Sequence, residues 1–316
     1  MRETVSNNSS INCCAVRPES VGQVLRWIHG DLLENDFAAL RRDVVPRLAA
    51  NPDLAPLQIV DGTSLVAAAY FIRLDGNVAT LGGVRAMSGY ETQAGCLLQE
   101  FQLMLNLAGI AQIQALLDVD NLSSRMVMLN SPFRQVTTVR HLLLNLHNIS
   151  PAAELPIAGY TFHPASRFQR SEVEALVEAT FIGSLDCPEV DGLRTGSDVV
   201  NGFLESKAWD QSLPWWVLCD DHAPIGCALV NTHPKGIFEF AYMGLIQSVR
   251  GRGLGRALVD FAIRNCLAQG GSMITTAVDT QNRPAGRIYE SLGFTAIREL
   301  AVWLPKNAKN QQVAAA

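Results

Sequence analysis

Arg250-Gly251-Arg252-Gly253-Leu254-Gly255 joins two unlike runs. Before it lies Ile237 to Leu245, apolar and strand-like; after it lies Leu254 to Ala268, patterned as a helix. Three glycines in five positions let a ligand approach the backbone with no Cβ in the way. The first N–H groups of the following helix have no intrahelical acceptor and point forward. The positive end of the helix dipole adds to their pull, so the preferred guest is a phosphate or diphosphate. The stretch from Arg250 through Gly251, Arg252, Gly253, Leu254 and Gly255 to Arg256 therefore reads as a cradle for a phosphorylated cofactor.

The order of residues narrows the cofactor. A Walker loop ends in Gly-Lys-Ser/Thr, whereas Arg256 and Ala257 follow Gly255 here. A dinucleotide fingerprint needs a third glycine where this chain has Leu258. The order Arg-x-x-Gly-x-Gly between strand and helix instead resembles the Gcn5-related N-acetyltransferase (GNAT) family, whose loop holds the pyrophosphate of coenzyme A. A second stretch carries the same resemblance. After a Gly270-Gly271 break comes the β-rich run Ser272 to Asp279, then Asn282, Ala285, Tyr289, Gly293 and Phe294. Asn282 is predicted to cap a short helix, and Gly293 to stop it. Phe294 then re-enters the core.

The chain repeats itself faintly at a separation of 161 positions. Asn282 falls on Asn121, Asp279 on Asp118, Phe294 on Phe133, Gly270 on Gly109 and Gly244 on Gly83. The two copies differ where chemistry is expected. Arg250 faces Gly89, Gly253 faces Thr92, Gly255 faces Ala94, Glu239 faces Val78, Tyr289 faces Met128 and Gly293 faces Pro132. The expected organisation is a degenerate, non-catalytic copy over 1–150, a catalytic domain over 151–306 and a disordered tail over 307–316. The junction falls near Ser150 to Pro156. The resemblance implies an α+β fold: two tandem GNAT-like domains, each a mixed, mostly antiparallel sheet flanked by helices.

Composition agrees with an enzyme of this size. The chain is 48% hydrophobic and 17% charged with net charge −5, which fills large cores and gives no footprint for nucleic acid. No apolar run approaches the roughly 20 residues of a membrane span. Met1 to Asn12 is polar and lacks the apolar core of a signal peptide. Seven cysteines without a Cys-x-x-Cys pair, and no metal-site spacing, lead us to expect a reduced, cytoplasmic protein that binds neither metal nor membrane.

Acetyl transfer to an amine needs a proton acceptor for the amine, a donor to the carbonyl oxygen and a proton for the departing thiolate. The resemblance implies acetyl-CoA as the acyl-donor cosubstrate, with Asn282 counted among its contacts. It also implies backbone contacts from Met243, Gly244 and Leu245, where two strands splay apart. Glu239 is the candidate base, and by a period of two it should share a face with Ala241 and Met243. Tyr289 is the candidate acid. Asp186, Glu189 and Asp191, between two predicted helices, would attract a cationic amine. As bland alternatives, Glu239 is a solvated strand residue, Tyr289 a core aromatic, and the 185–194 segment a capped connector. The expected acceptor is a primary amine of a small molecule or a protein. The rival reading is a coenzyme A-binding scaffold without turnover. Trp215 and Trp216 open a strand, with one of them expected in the core. Cys187 lacks a recognisable histidine partner, and His163, His222 and His233 stand alone.

Overall fold

The computed structural model describes residues 11–149, 159–204, 209, 212–221 and 223–308. The expected junction at 150–156, most of the tail and His222 lie outside the described residues. In chain order the elements begin with β1 (Ile11–Ala15), α1 (Val21–Ile28), α2 (Glu34–Ala50), β2 (Leu57–Asp61), β3 (Ser64–Leu74) and β4 (Val78–Ala86). They continue with α3 (Glu91–Leu107), β5 (Gln112–Asp118), α4 (Leu122–Leu129) and β6 (Phe133–Asn145). The later elements are β7 (Tyr160–Pro164), α5 (Arg170–Phe181), α6 (Gly196–Leu204), β8 (Trp215–Asp220) and β9 (Ala223–His233). The chain closes with β10 (Ile237–Leu245), α7 (Leu254–Ala268), β11 (Met273–Asp279), α8 (Arg283–Ser291) and β12 (Thr295–Pro305). The repeat survives in this list: moved by 161 positions, Gln112–Asp118 lands on Met273–Asp279. No helix among the described residues is long and apolar enough to cross a membrane.

Contacts divide the chain into two compact units. The first holds the chain up to Leu74, Val78–Gln135, and Trp303 onward; the second holds Asp75–Asn77 and Val136–Val302. A cut at residue 150 therefore does not match the boundary between units. The reason is strand exchange. Residues Val139–Asn145 of β6, which end the first repeat, pair antiparallel with Asp279–Met273 of β11 in the second unit. Trp303 to Pro305 of β12, which end the second repeat, belong to the first unit. Local periodicity announces a strand but does not say which neighbour it joins.

In the first unit, β1, β2, β3 and β4 pair antiparallel in succession, and β5 joins β4 in parallel. One face of β3 packs with α1 and α2 through Ala68, Tyr70, Leu25 and Phe37. Phe71 packs on Phe101 of α3, with ring centres 5.1 Å apart.

The second unit repeats the plan. β7, β8, β9 and β10 pair antiparallel; β11 adds to β10 in parallel, and β6 adds to β11. One face carries α7 and α8 over Leu142, Leu144, Phe238, Phe240 and Ile274. The other carries α5 and α6 over Val217, Cys219, Cys227 and Leu229. Trp215 belongs to the second core and Trp216 to the first, so both indoles are buried where one was expected. β8 and β9 lie at the centre of a helix–sheet–helix sandwich, which explains the double burial.

Local chemistry fixes the ends of the key helices. Gln169 and Glu172 form a reciprocal capping box on α5, with the Gln169 N–H donating to Glu172 Oε2 at 2.7 Å. Asn282 Oδ1 accepts from the Ala285 N–H at 3.3 Å and caps α8, as its sequence position suggests.

Candidate active site

β10 and β11 pair only from Ile237 to Phe240, opposite Met273 to Thr276. Both strands then continue without each other, to Leu245 and Asp279. A register shift between Phe240 and Tyr242 against β9 marks a β-bulge at the point of divergence. The result is a gap with backbone edges on both sides. The Ile246 N–H donates to Ile225 O at 2.9 Å, so alternation turns the amides of Met243 and Leu245 into the gap. On the opposite edge, the Thr280 N–H donates to Thr138 O at 2.9 Å, so the Asp279 N–H also faces the gap.

The bulge corrects one expectation. Phe238, Phe240, Met243 and Leu245 all contribute to the core under α7 and α8, whereas Tyr242 joins the core under α5 and α6. Glu239 alternates with Phe238 and Phe240, so it lies on the opposite face from Met243. A period of two cannot be carried across an extra residue. Glu239 is half-exposed and Oε2 lies 3.1 Å from His233 Nε2.

Tyr289 is buried on the α8 side, its hydroxyl 3.8 Å from Met243 Sδ and its ring edge-on to Phe294. Burial pushes the phenol up to about 12, against a smaller lowering by its bond to Thr276. It is a neutral proton donor at ordinary pH.

The stretch 250–256 has the geometry of a cradle. Gly251 (φ 77°) and Gly253 (φ 81°) adopt the left-handed conformation, and a Cβ at either would meet nothing within 4 Å. The N–H groups of Gly251 through Arg256 have no acceptor among the described residues. The arginines divide their work. Arg250 turns away from the cradle: it donates from Nε to Leu245 O (3.0 Å), from Nη1 to Gly183 O (2.7 Å) and from Nη2 to Thr180 O (2.8 Å). Two of these carbonyls are at or just beyond the C-terminus of α5, where a cation is favoured. Arg256 bonds Ser291 Oγ at 2.6 Å and approaches Asp260 Oδ2 at 3.5 Å. Arg252 has no partner among the described residues.

The family model for the acetyltransferase (GNAT) family matches residues 186–294, which span the splayed strands, the cradle and α8. The C-terminal unit carries a GNAT acetyltransferase domain. Relatives agree. The chain is 41% identical over 120 residues to a mycothiol acetyltransferase from Thermomonospora curvata, covering 34% of this chain and 40% of that protein. It is 34% identical over 128 residues to one from Corynebacterium glutamicum, covering 36% and 44%. The match thus spans less than half the length of these curated relatives. Among solved structures, a GCN5-related N-acetyltransferase from Sphaerobacter thermophilus superposes with a TM-score of 0.61 at 17% identity, covering 93% of this chain and 94% of that one. A tandem GNAT protein from the clavulanic acid biosynthesis pathway gives 0.52 at 15% identity, covering 93% and 98%. Likeness at that identity establishes the fold.

The GNAT domain also holds residues that sequence reasoning placed only loosely. The connector after α5 delivers Asp186 to the gap, where Oδ1 accepts from the Asp279 N–H at 2.8 Å. In return, the Cys187 N–H donates to Asp279 Oδ2 at 2.9 Å. Asp186 keeps solvent access yet is crowded by protein, and this desolvation raises its pKa above the usual carboxylate range. Glu189 and Asp191 lie further along, half-buried, and their side chains have no bond among the described residues. Burial drives the Cys187 thiol up to about 12, a poor setting for a nucleophile.

His141 was not singled out from sequence. It lies opposite Ala277 on β6, on the Glu239 face of the sheet, and burial followed by Arg298 lowers its pKa while Glu239 opposes that shift. No motif marks it, because it reaches this domain only through the exchanged strand. Among the described residues no group of three or more His, Cys, Asp or Glu is placed to hold a metal ion.

In the first unit one amide just ahead of the equivalent helix already has an acceptor. The Gly89 N–H donates to Glu91 Oε2 at 3.0 Å, and Met128 is fully buried where the GNAT domain has its phenol.

Proposed function

We propose that this chain transfers the acetyl group of acetyl-CoA to a primary amine of a small molecule, by direct attack in a ternary complex. The observation that carries the reading is the gap itself. An unpaired backbone edge, a buried neutral phenol beside Met243 and a set of free amides at a helix start support it. The amides of Gly251 to Arg256, with Arg252 and Arg256, suit a diphosphate: the glycines keep the approach clear of side chains. The cosubstrate supplies an acetyl group activated as a thioester, with a thiolate as leaving group.

The chain's residues then divide the chemistry. Met243 and Leu245 offer N–H groups from β10 to the carbonyl oxygen as it gains charge. Glu239 accepts the proton that the attacking nitrogen sheds as the C–N bond forms. Tyr289 gives its proton to the sulfur as the C–S bond breaks, and is reprotonated from solvent. Glu239 and Tyr289 lie on opposite faces of the sheet, so the proton is taken on one side and delivered on the other. Asn282 caps α8 and keeps Tyr289 at the gap. Asp186, Glu189 and Asp191 line the approach of a cationic acceptor.

The partial likeness to enzymes named for mycothiol favours a small-molecule acceptor over a protein amine. The first unit is assigned a structural role, because Glu91 takes the Gly89 amide ahead of its helix and Met128 stands in place of the phenol. The test is thiol release from acetyl-CoA against a panel of amines, with wild type beside Tyr289→Phe. Amine-dependent release in wild type, lowered in the variant, is expected. Ligand-induced thermal stabilisation with no release for any amine would instead favour a coenzyme A-binding scaffold.

A further inference from the structure

We infer that a phosphate-bearing small molecule binds in a pocket between α8 and β6, on the side of α8 turned away from Tyr289. The inference holds whether or not the chain transfers acyl groups. The pocket has a volume of about 230 Å³, and its walls include Arg140, Asn282, Arg283, Gly286, Arg287 and Glu290. Arg283, Gly286, Arg287 and Glu290 follow one another at helical spacing along one side of α8. The other side carries Tyr289 into the core and sets Ile288 toward Gly255. The volume lies below the usual range for drug-sized ligands and suits a phosphate with a short organic tail.

The charges on the pocket side are arranged against the helix. The first turn of α8 has no acidic residue, and Arg283 stands at its first position, where the helix dipole disfavours a cation. Arg287 lies four residues on, so the two like charges repel. Neither guanidinium has a partner among the described residues. Arg140 does: its Nε donates to Glu299 Oε1 at 2.9 Å, and its Nη1 lies 3.9 Å from Glu290 Oε1. Asp279 also borders the pocket, but its carboxylate accepts from Thr137, Gln281 and Cys187. A dianion between Arg283 and Arg287 would engage both planar forks and cancel their repulsion.

The backbone of α8 does not make this site. The Ala285 N–H donates to Asn282 Oδ1, the Gly286 N–H to Asn282 O and the Arg283 N–H to Gln281 O, and residue 284 is a proline. Recognition falls to the side chains.

The first repeat shows that such a helix does not need these charges. Subtracting 161 carries Asn282, Arg283, Arg287 and Glu290 to Asn121, Leu122, Met126 and Leu129. Asn121 caps α4 as Asn282 caps α8, accepting from the Ser124 N–H at 3.0 Å. One scaffold thus carries apolar side chains in one copy and two unpaired guanidiniums in the other, in a chain whose net charge is −5.

The test is the thermal stability of the full chain with and without inorganic phosphate, at constant ionic strength set by chloride. The proteins are wild type, Arg283→Gln/Arg287→Gln, Gly253→Val and the triple variant, since Gly253→Val blocks the other anion site. Phosphate should raise the Tm of wild type and of Gly253→Val and leave the triple variant unmoved. Calorimetry on the Gly253→Val background should show phosphate affinity about tenfold or more weaker without the two arginines. In the absence of phosphate, Arg283→Gln/Arg287→Gln should be at least as stable as wild type, because the repulsion is gone.

A phosphate-induced shift that is equal with and without the arginines would overturn the inference, as would no shift in any protein. So would an arginine variant that is less stable than wild type before phosphate is added. Wild type against the arginine variant decides alone should Gly253→Val fail to fold. Arg256 reaches Ser291, one turn beyond Arg287, so the third phosphate of coenzyme A is the rival occupant. Coenzyme A and its 3′-dephospho form should each bind the arginine variant as they bind wild type. Weaker binding of coenzyme A alone would assign the pocket to the cosubstrate and overturn a separate ligand.

Discussion

Replacing Gly253 by valine tests the cradle most directly. Gly253 is the N-cap of α7 at φ 81° and ψ −6°, and a Cβ there meets nothing within 4 Å. The left-handed conformation costs an ordinary residue about 1–2 kcal/mol, and a β-branched one somewhat more. Domains are stable by about 5–15 kcal/mol, so the fold should persist. The two methyls would project into the open space before the amides of Gly251 to Arg256. Losing two charge-assisted hydrogen bonds, at about 1.5–3 kcal/mol each, removes about 3–6 kcal/mol of affinity. Coenzyme A binding should weaken more than about a hundredfold by titration calorimetry.

Gly270→Val is the matched control. Gly270 lies just past the other end of α7, at φ 76° and with equally open space. It carries the same strain and no proposed ligand, so it should lose stability and keep affinity. A folded Gly253→Val protein with wild-type affinity would refute the cradle, as would an equal loss from Gly270→Val.

Other predictions follow from the same geometry. Tyr289→Phe should lower kcat by about a hundredfold or more while leaving coenzyme A affinity near wild type, measured by steady-state kinetics and calorimetry. The Tyr289 phenol is raised to about 12, so its contribution to stability is whole below its unfolded value near 10 and is lost as pH rises towards 12. Urea denaturation at pH 9 and pH 11.5 should show Tyr289→Phe losing less stability over that window than wild type. Arg250→Ala leaves three carbonyls without their shared donor and should destabilise the C-terminal unit by about 2–4 kcal/mol in thermal denaturation. Its effect on coenzyme A affinity should be smaller than that of Gly253→Val.

The sequence shows local arrangements well and long-range ones poorly. Asn282 as a cap and Gly253 as a helix entry need only near neighbours, and both stand where the spacing puts them. That two strands part beside Met243 to Leu245 was expected from the family resemblance, not from the residues themselves. The face of Glu239 was not legible, since a bulge at one residue reverses the alternation after it. Arg250 looked like an anion ligand by its position among glycines. Its real acceptors, Gly183 and Thr180, lie far away in sequence. Asp186 and His141 meet the site for the same reason, one by a connector folded across the gap and the other by a borrowed strand.

That borrowed strand ties the fates of the two repeats together. Leu142, Leu144 and Leu146 sit in the core under α7 and α8, although they are encoded before the second repeat begins. A gene fragment starting after residue 150 would yield an enzyme half with a bare sheet margin and a hole in its interior, prone to clump. Recombination at the repeat border, so convenient on paper, would break this interior, and the first repeat cannot be discarded even if it binds nothing.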